Sequence, residues 1–98
     1  MNINFSFKGL DQSAGLKEYA EKRLTKLERF ITQNTQVEVF FVKDKNEKKT
    51  EIKLNHKGED YFAVESSEEF DQSIDFCVDK ISKQIKKSKE KRIDRRGR

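Results

Sequence analysis

The chain of 98 residues has no proline and no tryptophan, one cysteine (Cys77), one histidine (His56) and four glycines. Each scarcity excludes something. A single cysteine rules out an intramolecular disulfide framework and fits a reducing compartment. His56 and Cys77 stand far apart, which argues against a Cys/His zinc site, so no metal is expected. One histidine leaves no convincing Ser/His/Asp or Cys/His nucleophile. Four scattered glycines make no phosphate-cradling loop. An enzyme is therefore not expected, nor a cofactor. No stretch approaches the ~18–20 apolar residues of a membrane span. The start, from Met1 to Lys8, lacks the basic region and apolar run of a signal peptide, so the expected location is cytoplasmic.

What the chain does have is charge. Charged residues make up 41% and hydrophobic residues 33%, and mean hydropathy is −1.02. Such a balance is compatible with disorder. Two tyrosines and eight phenylalanines, and apolar residues that recur periodically, argue instead for one folded domain. The net charge of +4 hides an asymmetry. Residues 80–98 hold ten Lys/Arg against two Asp/Glu, while residues 1–79 hold 12 against 16. A slightly acidic body with a strongly basic end points toward a polyanion, either nucleic acid or an anionic membrane. A solvated lysine tail is the plainer reading of that end.

Alternation of Ile3, Phe5 and Phe7 with polar neighbours predicts a strand over 2–7. Asp11 or Ser13 can cap a helix over 14–32, whose stripe is Leu16, Ala20, Leu24, Leu27 and Ile31. Further strands are predicted at 37–43, 50–56 and 61–66, joined by a polar turn over 44–49 and a hairpin at 57–59. Ser66 and Glu69 fit a capping box before a long helix that ends near residue 93. Its stripe is Phe70, Ile74, Cys77, Val78, Ile81 and Ile85. The order β-α-β-β-β-α, with one apolar face per helix, predicts an α+β two-layer sandwich. Two helices should cover one face of a four-stranded sheet. Residues 1–93 form the single domain and 94–98 a short basic tail.

Helical projection sorts the charges. On the first helix Lys22, Lys26 and Arg29 fall within ~60° of each other, opposite Glu18, Glu21 and Glu28. Arg23 lies nearer the stripe, where its head can snorkel out. On the second helix Lys80, Lys83, Lys87 and Lys91 share a band ~80° wide. Lys86, Lys89, Arg92, Arg95, Arg96 and Arg98 thicken its end. The last two turns are expected to project beyond the sheet. Such a stripe suits phosphates and brings affinity with little sequence choice. The outer sheet face offers Phe40, Val42 and Phe62 for base stacking, but nothing matches an RNP consensus. Phe76 is read as a tolerated exposed aromatic, with a stacking or partner contact as the alternative. His56 is read as an ordinary strand-end residue and Cys77 as a small buried hydrophobe. Asp75 and Asp79 are read as surface charge near the positive end of the second helix.

One segment is more specific. From Ile74 the chain reads Ile-Asp-Phe-Cys-Val-Asp-Lys-Ile-Ser-Lys-Gln-Ile-Lys-Lys-Ser-Lys-Glu-Lys to Lys91, and Lys26-Leu27-Glu28, Leu10-Asp11 and Gly58 accompany it. Over residues 1–92 the chain resembles the bacterial ribosome hibernation-promoting factors and the related ribosome-associated inhibitor. The resemblance implies a β-α-β-β-β-α fold similar to a double-stranded-RNA-binding domain. It implies binding to the small ribosomal subunit near the decoding centre, through ribosomal RNA contacts that exclude mRNA and tRNA. Arg23, Lys26, Lys80, Lys83, Lys87, Lys89 and Lys91 match the implied contact positions. Lys22 and Arg29 rest on helix geometry alone, and Phe76 departs from the smaller residues of that position. The length fits a short form, without a second dimerisation domain and without the inhibitor's longer tail. The expected protein is a translation silencer that favours ribosome dimers in stationary phase or stress. It is expected to be monomeric off the ribosome and compatible with a ribosome modulation factor as partner. The rivals are the inhibitor that keeps single ribosomes inactive, a general RNA-binding module and a protein-interaction regulator. A membrane-surface helix is disfavoured, because residues beyond Ile85 offer almost no apolar face.

Overall fold

The computed structural model describes residues 1–32 and 34–88 in full, and the helical backbone of residues 89–96. Three strands begin with simple alternation. β1 (Asn2–Lys8), β2 (Gln36–Asp44) and β3 (Glu47–His56) each turn one residue in two toward the core, as does much of β4 (Glu59–Ser67). The sheet order is β1-β2-β3-β4. β1 runs parallel to β2, and the other neighbours pair antiparallel. The register places Ile3, Val37, Leu54 and Tyr61 in one row, and Phe5, Val39, Ile52 and Ala63 in the next. Both helices lie on that inner face. The expected α+β sandwich is what the chain forms.

Helix α1 (Ala14–Leu24) starts at Ser13, whose hydroxyl accepts from the Leu16 amide at 3.2 Å. It is shorter than the predicted span of 14–32. The α-helix ends at Leu24 and tightens into a 3₁₀ turn over Thr25–Leu27. The Thr25 hydroxyl donates back to the Glu21 carbonyl at 2.7 Å, a local bond that competes with continued helix. Leu24, Leu27 and Phe30 recur every third residue, the repeat of a 3₁₀ turn and not of an α-helix. Helix α2 (Phe70–Arg96) runs slightly beyond its predicted end. The Ser66–Glu69 capping box does not form. β4 continues through Ser67, so Ser66 stays in the ladder opposite Lys49. The Ser67 hydroxyl instead bonds the Glu69 backbone, and the Glu69 carboxylate faces Lys48 at 3.4 Å.

The turns are tighter than predicted. Lys45-Asn46 alone links β2 to β3, with Lys45 at φ 59°. Lys57 and Gly58 both have positive φ, 52° and 79°, as a two-residue hairpin of the I′ kind requires. Gly9 has φ 81° and passes so close to the Lys43 carbonyl that a Cβ would clash with it.

The core is contiguous from Ala20, Leu24 and Leu27 through Phe41 to Ile74, Ile81 and Ile85. Its buried polar members are Thr35, Thr50, His56 and Ser73, and the Thr35 hydroxyl has no hydrogen-bond partner among the described residues. Thr50 and Ser73 share a hydrogen bond of 2.8 Å, and the Cys77 thiol donates to the Thr50 carbonyl at 3.1 Å. His56 is the last residue of β3, the strand-end position expected, and it is buried because the inward alternation of Thr50, Ile52 and Leu54 continues to it. β4 is an edge strand, and α2 covers it. The Gln84 amide donates to the Phe62 carbonyl at 2.8 Å and accepts from the Phe62 amide at 3.2 Å. That pairing blocks addition of a foreign strand there.

Burial, then the negative Glu65 nearby, pushes the Cys77 thiol up to about 12. The thiol therefore stays protonated at neutral pH and shielded from reagents. Native protein should leave a thiol-reactive dye unconsumed, and one equivalent should react in urea. Rapid labelling of native protein would contradict the packing of α2.

Candidate nucleic-acid interface

The two helices lie side by side on the sheet. Their seam begins at Asp75, which accepts from the Tyr19 hydroxyl at 2.9 and 3.1 Å. Arg23 Nε lies 2.8 Å from Asp75 Oδ1, an ionic contact and not an aligned hydrogen bond. Asp75 is thus the tie between α1 and α2, not surface charge. Burial and the Asp75 carboxylate raise the Tyr19 hydroxyl above its usual value. Further along the seam, Lys26, Arg29, Phe30, Thr25, Ser82 and Lys86 line a shallow groove of about 410 Å³. The Phe30 ring is the floor for two cations, with Lys86 Nζ at 5.6 Å and the Arg29 guanidinium at 5.9 Å. Phe30 had no functional reading in the sequence. Its spacing of three from Leu27 was the available signal.

The predicted cations therefore divide by environment. Lys26, Arg29 and Lys86 are brought together, and Lys22 is exposed one turn earlier on α1. Lys83 and Lys87 are exposed on the open face of α2. Arg23 is engaged by Asp75 within the seam. Lys80 is drawn to the other flank, where it pairs with Glu65 of β4. Its pKa is raised, first by the hydrogen bond to Glu65 and then by that carboxylate's charge. Lys89, Lys91 and Arg92 continue the helical backbone of α2, and their side chains lie outside the described residues. Ile85 is the last buried residue of the described stripe, and Ser88 still bonds Glu59 at 2.8 Å. Beyond it the helical backbone runs on to Arg96.

The outer sheet face makes no aromatic platform. Phe40 and Val42 are half-buried on β2, Phe62 is exposed on β4, and Glu51 and Lys53 of β3 stand between them. Lys53 Nζ lies 5.9 Å from the Phe62 ring centre. Among the described residues no group of His, Cys, Asp and Glu is arranged to hold a metal.

Residues 3–93 match the family described as Sigma 54 modulation protein / S30EA ribosomal protein. The chain belongs to this family. It is 34% identical over 95 residues to the ribosome hibernation promoting factor of Azotobacter vinelandii, covering 97% of this chain and 89% of that protein. The corresponding factor of Pseudomonas putida is 30% identical over 91 residues, covering 93% and 89%. Two solved structures share the fold at a TM-score of 0.81 and 24% identity. The N-terminal domain of Thermus thermophilus Protein Y matches 89% of this chain and 98% of its own. A ribosomal subunit interface protein from Coxiella burnetii matches 92% and 99%. The S30EA family is one of ribosome hibernation factors, not of enzymes. The resemblance read from Ile74 to Lys91 is therefore to the right family.

Within this S30EA fold the Asp75 tie sets how α1 sits against α2. Asp75→Ala should lower stability by about 1 kcal/mol, the low end for hydrogen bonds to a charged group, because both partners are partly exposed. It should also let the Tyr19 hydroxyl titrate at lower pH, since the carboxylate that disfavours tyrosinate is gone. An alkaline ultraviolet titration beside a thermal melt checks both. An unmoved tyrosine titration would remove Asp75 from the seam.

Proposed function

We propose that the protein is a ribosome hibernation factor that binds the small ribosomal subunit near the decoding centre. There it occupies the space of mRNA and tRNA, silences translation and favours ribosome pairing in stationary phase or stress. The observation that carries this reading is the basic groove between α1 and α2, with Lys83 and Lys87 beside it. The family relationship supports the partner, and the charged Glu51 and Lys53 standing between Phe40 and Phe62 on the outer sheet face favour phosphate contact on the helix layer over sequence readout on the sheet. Lys22, Lys26, Arg29, Lys83, Lys86 and Lys87 are the primary contacts in this proposal. Arg23 and Lys80 contribute from behind their carboxylate partners, and Lys89, Lys91 and Arg92 extend the contact along α2. Residues 1–93 act as one binding domain with 94–98 as a basic tail. The protein works in the cytoplasm and is monomeric off the ribosome, and a ribosome modulation factor is a compatible partner.

Sedimentation tests the reading. Purified protein added to vacant ribosomes at low and moderate salt should co-migrate with small subunits and intact ribosomes, and should suppress translation in vitro. A larger peak of paired ribosomes is expected, and its absence alongside binding would favour the inhibitor type. Protein that stays at the top of the gradient at both salts would overturn the assignment.

A further inference from the structure

We infer that Phe76 is a stacking site for an unpaired nucleobase, set among the lysines of α2. The inference rests on the proposed RNA-binding reading and adds a contact of another kind to it. Phe76 is 49% exposed, and Phe62, at 47%, is the other large hydrophobic left so open among the described residues. These two rings and the half-buried Phe30 differ in what covers them. Lys53 lies over Phe62, and Arg29 and Lys86 lie over Phe30, whereas no described ring or cation covers Phe76. In projection along α2, Phe76 falls within ~20° of both Lys83 and Lys87, about 10 and 16 Å away along the axis. A backbone held by those lysines meets the ring where it continues along the same helix face about 10 Å past Lys83 toward the start of α2.

The charges around Phe76 favour a base over a phosphate at that point. Asp79 is exposed one turn away, and Lys80 is paired with Glu65. The immediate surroundings are close to neutral, while cation density rises toward Lys83 and Lys87. A phosphate gains little beside Asp79. A neutral, planar base over the open ring loses nothing there and buries apolar surface on both partners. The ligand is therefore single-stranded RNA with its phosphates on the lysines and one unstacked base on Phe76.

The test uses the full chain and two probes of equal length, an oligouridine and the same oligomer carrying abasic sites. Phe76→Ala should weaken oligouridine binding by about thirtyfold, the middle of the range for one base stacked on an aromatic, with the salt slope unchanged. Phe76→Tyr should restore it. The abasic oligomer should bind wild type and Phe76→Ala equally. Phe76→Trp should place the only tryptophan of the chain at the site, and its fluorescence should be quenched by oligouridine and not by the abasic oligomer. Equal binding of oligouridine by wild type and Phe76→Ala would overturn the inference, as would no binding by wild type. Weaker binding of Phe76→Ala to small subunits with unchanged oligouridine binding would also overturn it, since the ring would then meet protein. Wild-type protein that binds oligouridine but does not sediment with small subunits would remove the ribosome reading and leave the stacking site standing.

Discussion

Replacing Lys26, Lys83, Lys86 and Lys87 together by glutamine should weaken binding to small ribosomal subunits on the order of a thousandfold near 0.1 M salt. The magnitude follows from counterion release. Each phosphate contact contributes roughly 0.7 to 0.9 to the log–log salt slope, so it multiplies affinity roughly five- to eightfold between 1 M and 0.1 M salt. Four contacts compound to that loss, and the slope should become shallower by about three. Stability should barely change, because all four side chains are exposed. The cost is the cation–π contact of Lys86 with Phe30, about 1 kcal/mol or less. A control separates placed charge from total charge. Glutamine at Lys8, Lys43, Lys45 and Lys57 removes the same four charges from strand ends and turns. That variant should retain most of the affinity. Equal losses in the two variants would mean that net charge, not the helix layer, drives binding.

Phe41→Ala should have the largest effect on stability. Phe41 is fully buried in the middle of β2, and three rings meet it. Phe5 stacks at 6.1 Å, Phe7 tilts against it at 5.1 Å, and Phe70 of α2 approaches edge-on at 5.6 Å. Truncation leaves a cavity between sheet and helix and should cost about 3–5 kcal/mol. For a domain of this size that lowers the melting temperature by roughly 12–40 °C. It is a large part of the ~5–15 kcal/mol by which such domains are stable. Phe62→Ala on the outer face of β4 should cost far less, since that ring already meets water. Melts of both variants by circular dichroism decide the matter. Similar losses would mean that the two faces of the sheet are wrongly assigned.

Legibility in the sequence followed the range of the interaction. Ile3, Phe5 and Phe7 alternate within one strand, and Ile74, Cys77, Val78, Ile81 and Ile85 repeat within one helix. Such patterns report burial without reference to any partner. Ser13 acts on an amide three residues away, so the start of α1 was also visible. The end of α1 was not, because the bond from Thr25 to Glu21 competes with a stripe that continues in pattern. The capping box at Ser66 failed for the opposite reason. A local motif was present, but pairing with Lys49 on β3 held Ser66 in the sheet. The position of the basic residues was legible from composition. Which of them are free to meet a ligand was not.

The sequence by itself determined the order of elements, the inward face of each and the basic end of α2, because those depend on periodicity and charge along the chain. The tertiary structure alone decided the use of that charge. Asp75 and Glu65 are brought to Arg23 and Lys80 by the packing of α2 on α1 and β4, and Coulomb attraction at contact distance ties those two cations down. The same packing brings Lys86 across the seam to Lys26, Arg29 and the Phe30 ring. It leaves Lys83, Lys87 and Phe76 facing water, where a polyanion can reach them.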